Sequence, residues 1–223
     1  MTRRSSLVAA SVLAAALLAS CGAMGPSTPM NGMSFFVTST NPGKGGDFGG
    51  LSGADRYCQS LASSAGAGSR TWRAYLSASA SPGSAAVDAR DRIGAGPWRN
   101  AKGDVVATSV ANLHSDSNNL TKQTALTEKG TTISGRGDPV NLHDMLTGSS
   151  PDGRAVNDGK DNTCGNWTKS GDGAALVGHH DRMGLRDDAP SKSWNSSHPT
   201  QGCSLDALKK TGGGGLLYCF AQN

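Results

Sequence analysis

Aromatic side chains are scarce in this chain: four Phe, four Trp and three Tyr among 223 residues. Small and polar residues, with 31 glycines, take their place. A core must therefore gather around a few large side chains, and crosslinks would strengthen it. Like charges never run together for more than a few residues, and nothing after residue 21 is apolar for long enough to span a bilayer. Gly-x-Ser-x-Gly is absent, and Gly148-Ser149-Ser150 lacks the strand–turn–helix context of a nucleophilic serine. The chain is expected to be no enzyme and to use no cofactor.

What is present is an odd number of cysteines: Cys21, Cys58, Cys164, Cys203 and Cys219. Five divide into one modified thiol and two bridges, and four body cysteines allow three pairings. Arg3 and Arg4 precede an apolar run from Leu7 to Leu18, which reads as an export signal. Leu18-Ala19-Ser20-Cys21 resembles the lipobox of bacterial lipoproteins, which implies a signal peptide over 1–20 and a lipidated Cys21. Several acyl chains on one cysteine hold a protein firmly on a membrane. Gly22 is not the Asp that favours inner-membrane retention, so an outer-membrane location is expected where the cell has two membranes. Residues 21–33 are small, polar and proline-punctuated and read as a tether, leaving 34–223 as one extracytoplasmic domain. Loss of Arg3 and Arg4 takes the formal charge from +4 to +2, too little to argue for nucleic acid.

Along the domain, 33–39 reads as a strand, and Ser52 reads as the cap of a helix that places Ala54, Cys58, Leu61, Ala62 and Ala65 on one face. Residues 71–77 alternate, with Trp72, Ala74 and Leu76 on one side and Arg73 and Tyr75 on the other. A second helix over 84–93 and a short strand over 104–107 follow. From 111 to 199 the pattern dissolves into loops. Residues 215–221 close the domain as a strand with Leu216, Tyr218 and Phe220 on one face and Leu217 and Cys219 on the other.

Six segments in this order carry a resemblance: FGGLSGADRYCQSLA (48–62), TWRAYLSAS (71–79), DARDRIG (88–94) with GDVVA (103–107), MLTGSSPDGRAV (145–156), CGNW (164–167) and LLYCF (216–220). They resemble C-type-lectin-like domains, more closely endostatin and a bacterial lipoprotein domain family of unknown function. The resemblance implies an α+β fold: a twisted, mostly antiparallel sheet, two helices and a long disulfide-clipped loop region. It also implies the pairs Cys58–Cys219 and Cys164–Cys203. Calcium-dependent lectins carry Glu-Pro-Asn or Gln-Pro-Asp with Trp-Asn-Asp. This chain has neither of the first two, and Ser193-Trp194-Asn195-Ser196 puts serine where the aspartate belongs, so no calcium is expected. The N-terminal metal-binding histidines of endostatin have no counterpart.

The candidate ligand surface is Trp194 and Asn195, with Arg73, Arg90 and Arg92, which fall in segments matching endostatin's glycan-binding arginines. Trp194 is the best candidate for an exposed stacking residue, although packing within the loop is the commoner fate of such a tryptophan. Trp72, Trp98 and Trp167 read as anchors. His179-His180-Asp181 is the densest group of metal-ligand types, but no third ligand has suitable spacing, so it reads as a solvated loop and no metal is expected. Asp172, Asp181, Asp187 and Asp188 lack the spacing of a calcium loop. Arg136-Gly137-Asp138 reads as coincidence, and the sequons at Asn119, Asn166 and Asn195 as unused. These readings together describe a lipid-anchored binding module for a glycan, a matrix component or an envelope protein; the alternative is a structural envelope lipoprotein.

Overall fold

The computed structural model describes Met1, Thr2 and residues 32–222. The expected signal from residue 3 onward, Cys21 and the tether up to residue 31 lie outside the described residues. In chain order the elements are β1 (Phe35–Val37), α1 (Gly50–Ser64), β2 (Thr71–Ala74), β3 (Trp98–Arg99), β4 (Val105–Ala107), α2 (Val110–Leu113), β5 (Asp144–Leu146), α3 (Cys164–Trp167), β6 (Leu176–His179), β7 (His198–Pro199), α4 (Leu205–Thr211) and β8 (Gly213–Gln222). The fold is α+β, with a six-stranded, mostly antiparallel mixed sheet and a separate β3–β4 hairpin.

β8 organises the sheet because it is apolar on both faces and buried along nearly all of its length. Its period of two sends Leu216, Tyr218 and Phe220 into one core and Leu217, Cys219 and Ala221 into the other. β1 lies antiparallel along one edge, with Phe35 opposite Phe220. Along the other edge come β2, antiparallel, and β5, parallel. β6 and β7 then extend the sheet beyond β5. Trp72, Ala74 and Leu76 enter the core of Leu217 while Tyr75 enters that of Phe220, as the alternation of 71–77 requires. The indole N–H groups of Trp72, Trp98 and Trp167 reach Ala67 O, Ala221 O and Ser77 O at 2.9, 3.2 and 2.7 Å, so each ring is buried without stranding its donor.

α1 buries Ala54, Cys58 and Ala62 at intervals of four residues. Its N-cap is Gly49, in the left-handed region, and not Ser52, which lies inside the helix. The preceding turn is closed by Asp47, whose Oδ1 accepts from the Gly49 N–H at 2.9 Å. Cys58 pairs with Cys219, and Cys164 with Cys203. Loop closure gives the first bridge about 5 kcal/mol and the second about 4, an upper bound in sum because the loops overlap. Such bridges mark a chain that folds outside the reducing cytoplasm. Among the described residues no helix is long and apolar enough to cross a membrane.

Three expectations are corrected here, and the strand expected over 104–107 gains a partner. Residues 84–93 hold only a 3-10 turn at Ala89–Asp91, because Ala78 and Val87 pair as an antiparallel bridge that holds the segment extended. Among the described residues four helices stand where two were expected, α4 being the clearest addition, capped by Ser204 Oγ accepting from the Ala207 N–H. β3 pairs with β4 across the turn at 100–104. The supposed loop region from 111 to 199 contains β5, β6 and β7, half of the main sheet.

Candidate functional site

Register brings four polar side chains to one end of the extended sheet. Asp144 opens β5 directly opposite His179, the last residue of β6, so both side chains stand on one face. His198 opens β7 opposite Val177, two residues from His179 and therefore on that face too. His143 precedes Asp144 and stacks on His179, with ring centroids 4.0 Å apart and planes 10° from parallel. Gly212 makes room for it: a Cβ there would lie 3.2 Å from His143 Nε2, on a backbone with φ of +112°.

The three Nε2 atoms converge on one carboxylate oxygen. Asp144 Oδ1 lies 3.2 Å from His143 Nε2, 3.3 Å from His179 Nε2 and 3.6 Å from His198 Nε2. The Nε2 atoms of His179 and His198 are 3.1 Å apart. These are contact distances, yet neither Asp144 oxygen makes a directed hydrogen bond among the described residues, and the side chain is 2% exposed. Each Nδ1 instead faces an oxygen that accepts: Asp181 Oδ1 at 3.2 Å for His143, Ser191 O at 2.8 Å for His179 and Pro199 O at 3.1 Å for His198. Those partners take the Nδ1 protons, and the hydrogen bond between the Nε2 atoms of His179 and His198 puts a further proton on one of that pair, while His143 keeps an Nε2 lone pair at the cluster.

Burial pushes the Asp144 carboxyl up, but His179 and His198 outweigh it and hold the group below its ordinary range. The same contact raises His198 against its own desolvation. Burial also opposes ionisation of Asp181, and hydrogen bonds from His143 and from the backbone N–H groups of Arg136 and Met183 overcome it, taking the carboxyl to about 2. His179-His180-Asp181 is therefore not a solvated loop: all three residues are buried. His180 points away to Ser134 O at 3.4 Å, and desolvation takes its pKa down to about 4.

Two clefts open on the surface around this end. One, of about 430 Å³, gives access to His143, His179 and His198 and is flanked by Arg136, Arg186 and Lys210. The other, of about 540 Å³, lies over Trp194 and Asn195 and is bordered by Asp116, Arg182 and Lys192. Pro190 lines both. The chain matches no protein-family model and no curated protein.

The residues singled out in the sequence play other parts. Trp194 is 3% exposed and packs on Tyr75 and Tyr218 at 4.8 and 5.3 Å, so it is no exposed stacking platform. Gly178 of β6 lets this segment lie against the strand, since a Cβ there would overlap Trp194 O. Asn195 is buried, donating from Nδ2 to Tyr75 Oη, Ser150 O and Pro151 O at 3.0–3.1 Å. Arg92 is half-buried against Asp55, with both carboxylate oxygens 2.8 Å from its Nη2. Arg73 reaches the same carboxylate at 2.9 Å, and Arg90 donates to Asp152 O at 2.8 Å. Each expected glycan-binding arginine thus ties two parts of the fold together. Arg136-Gly137-Asp138 is also engaged internally, Asp138 with Lys122 at 2.6 Å and the Arg136 N–H with Asp181. Asp187 and Asp188 pair with Lys192 and Arg186, so the loop carboxylates do not gather.

Sequence reasoning passed over His143, Asp144 and His198. Two histidine–carboxylate groups in one chain, His143-Asp144 and His179-His180-Asp181, were the available signal. Only strand register joins them.

Proposed function

We propose that this chain is a lipid-anchored, extracytoplasmic binding module of C-type-lectin-like, endostatin-like fold. The lipid on Cys21 holds it on a membrane, and the ligand is an acidic glycan taken on the face that bears the two clefts. The observation that carries this reading is the pairing of those clefts across Pro190, with the cations Arg136 and Lys210 along one of them. The nested disulfides and the α+β sheet with β1 and β8 side by side agree with the fold assignment. Binding is independent of calcium: Ser196 replaces the acidic ligand, and the Asn195 side chain is already committed to Tyr75, Ser150 and Pro151.

The test is an array of acidic and neutral glycans probed with the full chain, with and without a calcium chelator. Retention on acidic glycans that survives chelation and weakens in Lys210→Glu supports the module. A blank array overturns it and leaves the structural envelope lipoprotein, a reading favoured by the internal engagement of Arg73, Arg90 and Arg92.

A further inference from the structure

We propose that His143, Asp144 and His179 form a site for one divalent transition-metal ion of the zinc type, structural in role, which draws in the neighbouring His198 as its fourth ligand. None of the four lies in the segments that carry the family resemblance, and the proposal stands whether or not the chain binds a glycan.

Donor chemistry is the first argument. Three imidazole nitrogens and one carboxylate oxygen suit zinc, whereas calcium and magnesium take six or more oxygens. Spacing is the second. A tetrahedral ion with bonds of about 2.0–2.1 Å has its ligand atoms about 3.3 Å apart. Asp144 Oδ1 lies 3.2 and 3.3 Å from the Nε2 atoms of His143 and His179, and these three ligand atoms all lie within 4.8 Å of one another. His198 Nε2, 3.1 Å from His179 Nε2 and 3.6 Å from Asp144 Oδ1, stands beside that group.

The third argument is the state of the donors. Both oxygens of a carboxylate that is 2% exposed lack a hydrogen bond among the described residues. Leaving such a group unmatched is costly, and a cation at the point of convergence removes the cost. One proton on His198 supplies a single charge-assisted pair and leaves the lone pair of His143 still directed inward. A metal ion uses all four atoms at once.

The outer partners are the fourth. A metal-bound histidine characteristically donates its other N–H to a carboxylate or a carbonyl. Here Asp181 serves His143, Ser191 O serves His179 and Pro199 O serves His198. Asp181 is in turn fixed by the N–H groups of Arg136 and Met183 at 2.6 and 3.1 Å.

His198, drawn toward the ion from beside the other three, completes a tetrahedron of protein ligands, the pattern of structural rather than catalytic zinc. β7 is two residues long and pairs with β6 at two positions only. A metal bond through His198 fastens that edge, and with it the segment from 180 to 197 that walls both clefts.

The experiment uses the full chain in detergent, stripped with a chelator and titrated with Zn²⁺ by calorimetry and thermal unfolding. One ion per chain is expected, with Tm raised by about 5–10 °C at a hundredfold excess over Kd. Co²⁺ in place of Zn²⁺ should give the intense visible absorption of a tetrahedral site. His198→Ala removes the most exposed ligand, 36% exposed, so its fold is expected to survive. It should lose more than the ten- to hundredfold in affinity that removal of an outer partner costs. Asp144→Asn keeps the shape and should abolish the Zn²⁺-dependent Tm shift. Absence of stoichiometric binding by the stripped wild type overturns the proposal. So does Zn²⁺ binding that is unchanged in both variants, which would place the ion elsewhere.

Discussion

Two buried aspartates meet cations or imidazoles in this domain, and they are built on opposite principles. Asp55 on α1 accepts from Arg73 Nη1, from Arg92 Nη2 on both oxygens and from the Ala74 N–H at 3.0 Å. Every donor carries a hydrogen aimed at an oxygen, and two positive charges face one negative. Asp144 also has three nitrogen-bearing side chains around it, at 3.2–3.6 Å, but none of them aims a hydrogen at its oxygens among the described residues. The first aspartate is a finished clamp between α1 and β2. The second is a set of donors that share a missing centre of positive charge. Proximity of opposite groups is the same in both; only the placement of hydrogens separates a fold contact from a ligand site.

The largest effect should come from breaking the clamp. Asp55→Asn leaves Arg92, whose side chain is 12% exposed, buried without its counter-charge. Removing one partner of such a pair costs about 3–5 kcal/mol, and denaturant unfolding should show that loss with little change in m. A loss below about 1 kcal/mol would mean that the clamp is as dispensable as a surface pair.

A neutral polar chain under the Trp194 cleft sharpens the contrast. Asn195 Nδ2 donates to Tyr75 Oη, Tyr75 Oη lies 2.7 Å from His114 Nε2, and His114 Nδ1 lies 2.8 Å from Val110 O. Tyr75→Phe removes the central link and should cost about 1–3 kcal/mol, since His114 loses its inward partner while Asn195 retains Ser150 O and Pro151 O. The variant should also change Trp194 fluorescence, because Tyr75 packs on that ring.

The same chain sets a pH response. Desolvation lowers His114, with Arg90 adding to the effect. The neutral ring is favoured in the folded protein, so below about 6.5 the unfolded chain binds the proton first and stability falls as pH drops. Above that pH both states are neutral and the contribution is flat. His114→Gln should flatten the acid limb of the stability curve relative to wild type, measured by thermal unfolding between pH 7 and 5 (about the range in which a histidine titrates). An unchanged limb would mean that the ring is free to charge where it stands.

How much of this was readable beforehand depended on the length of each element. β8 declared itself because the six residues from Leu216 to Ala221 alternate between two cores. α1 did so because three buried positions recur at helical spacing. β5, β6 and β7 are three, four and two residues long, too short for any period to show. They exist because distant partners pair them: Asp144 with His179, and Val177 with His198. The histidine cluster inherits that obscurity, since its members lie on elements that only tertiary register creates. The arginines misled for the converse reason. Arg73, Arg90 and Arg92 look like a charged surface in sequence, and the acceptors that occupy them, Asp55 and Asp152 O, come from elsewhere in the chain.

The smallest effect should be the most informative. Asp144→Asn, measured in chelator, is expected to change stability by less than about 1 kcal/mol. The amide keeps the carboxylate's shape, removes the buried charge, and gives an N–H donor to the Nε2 lone pair of His143, which Asp144 leaves without a hydrogen bond. The same isosteric change at Asp55 removes a charge that its neighbours need. Two Asp→Asn substitutions, each at a residue no more than 7% exposed, should therefore differ by several kcal/mol without metal. A large loss at Asp144 in chelator would show that protonated imidazoles already balance its charge, and the two sites would then be clamps of one kind.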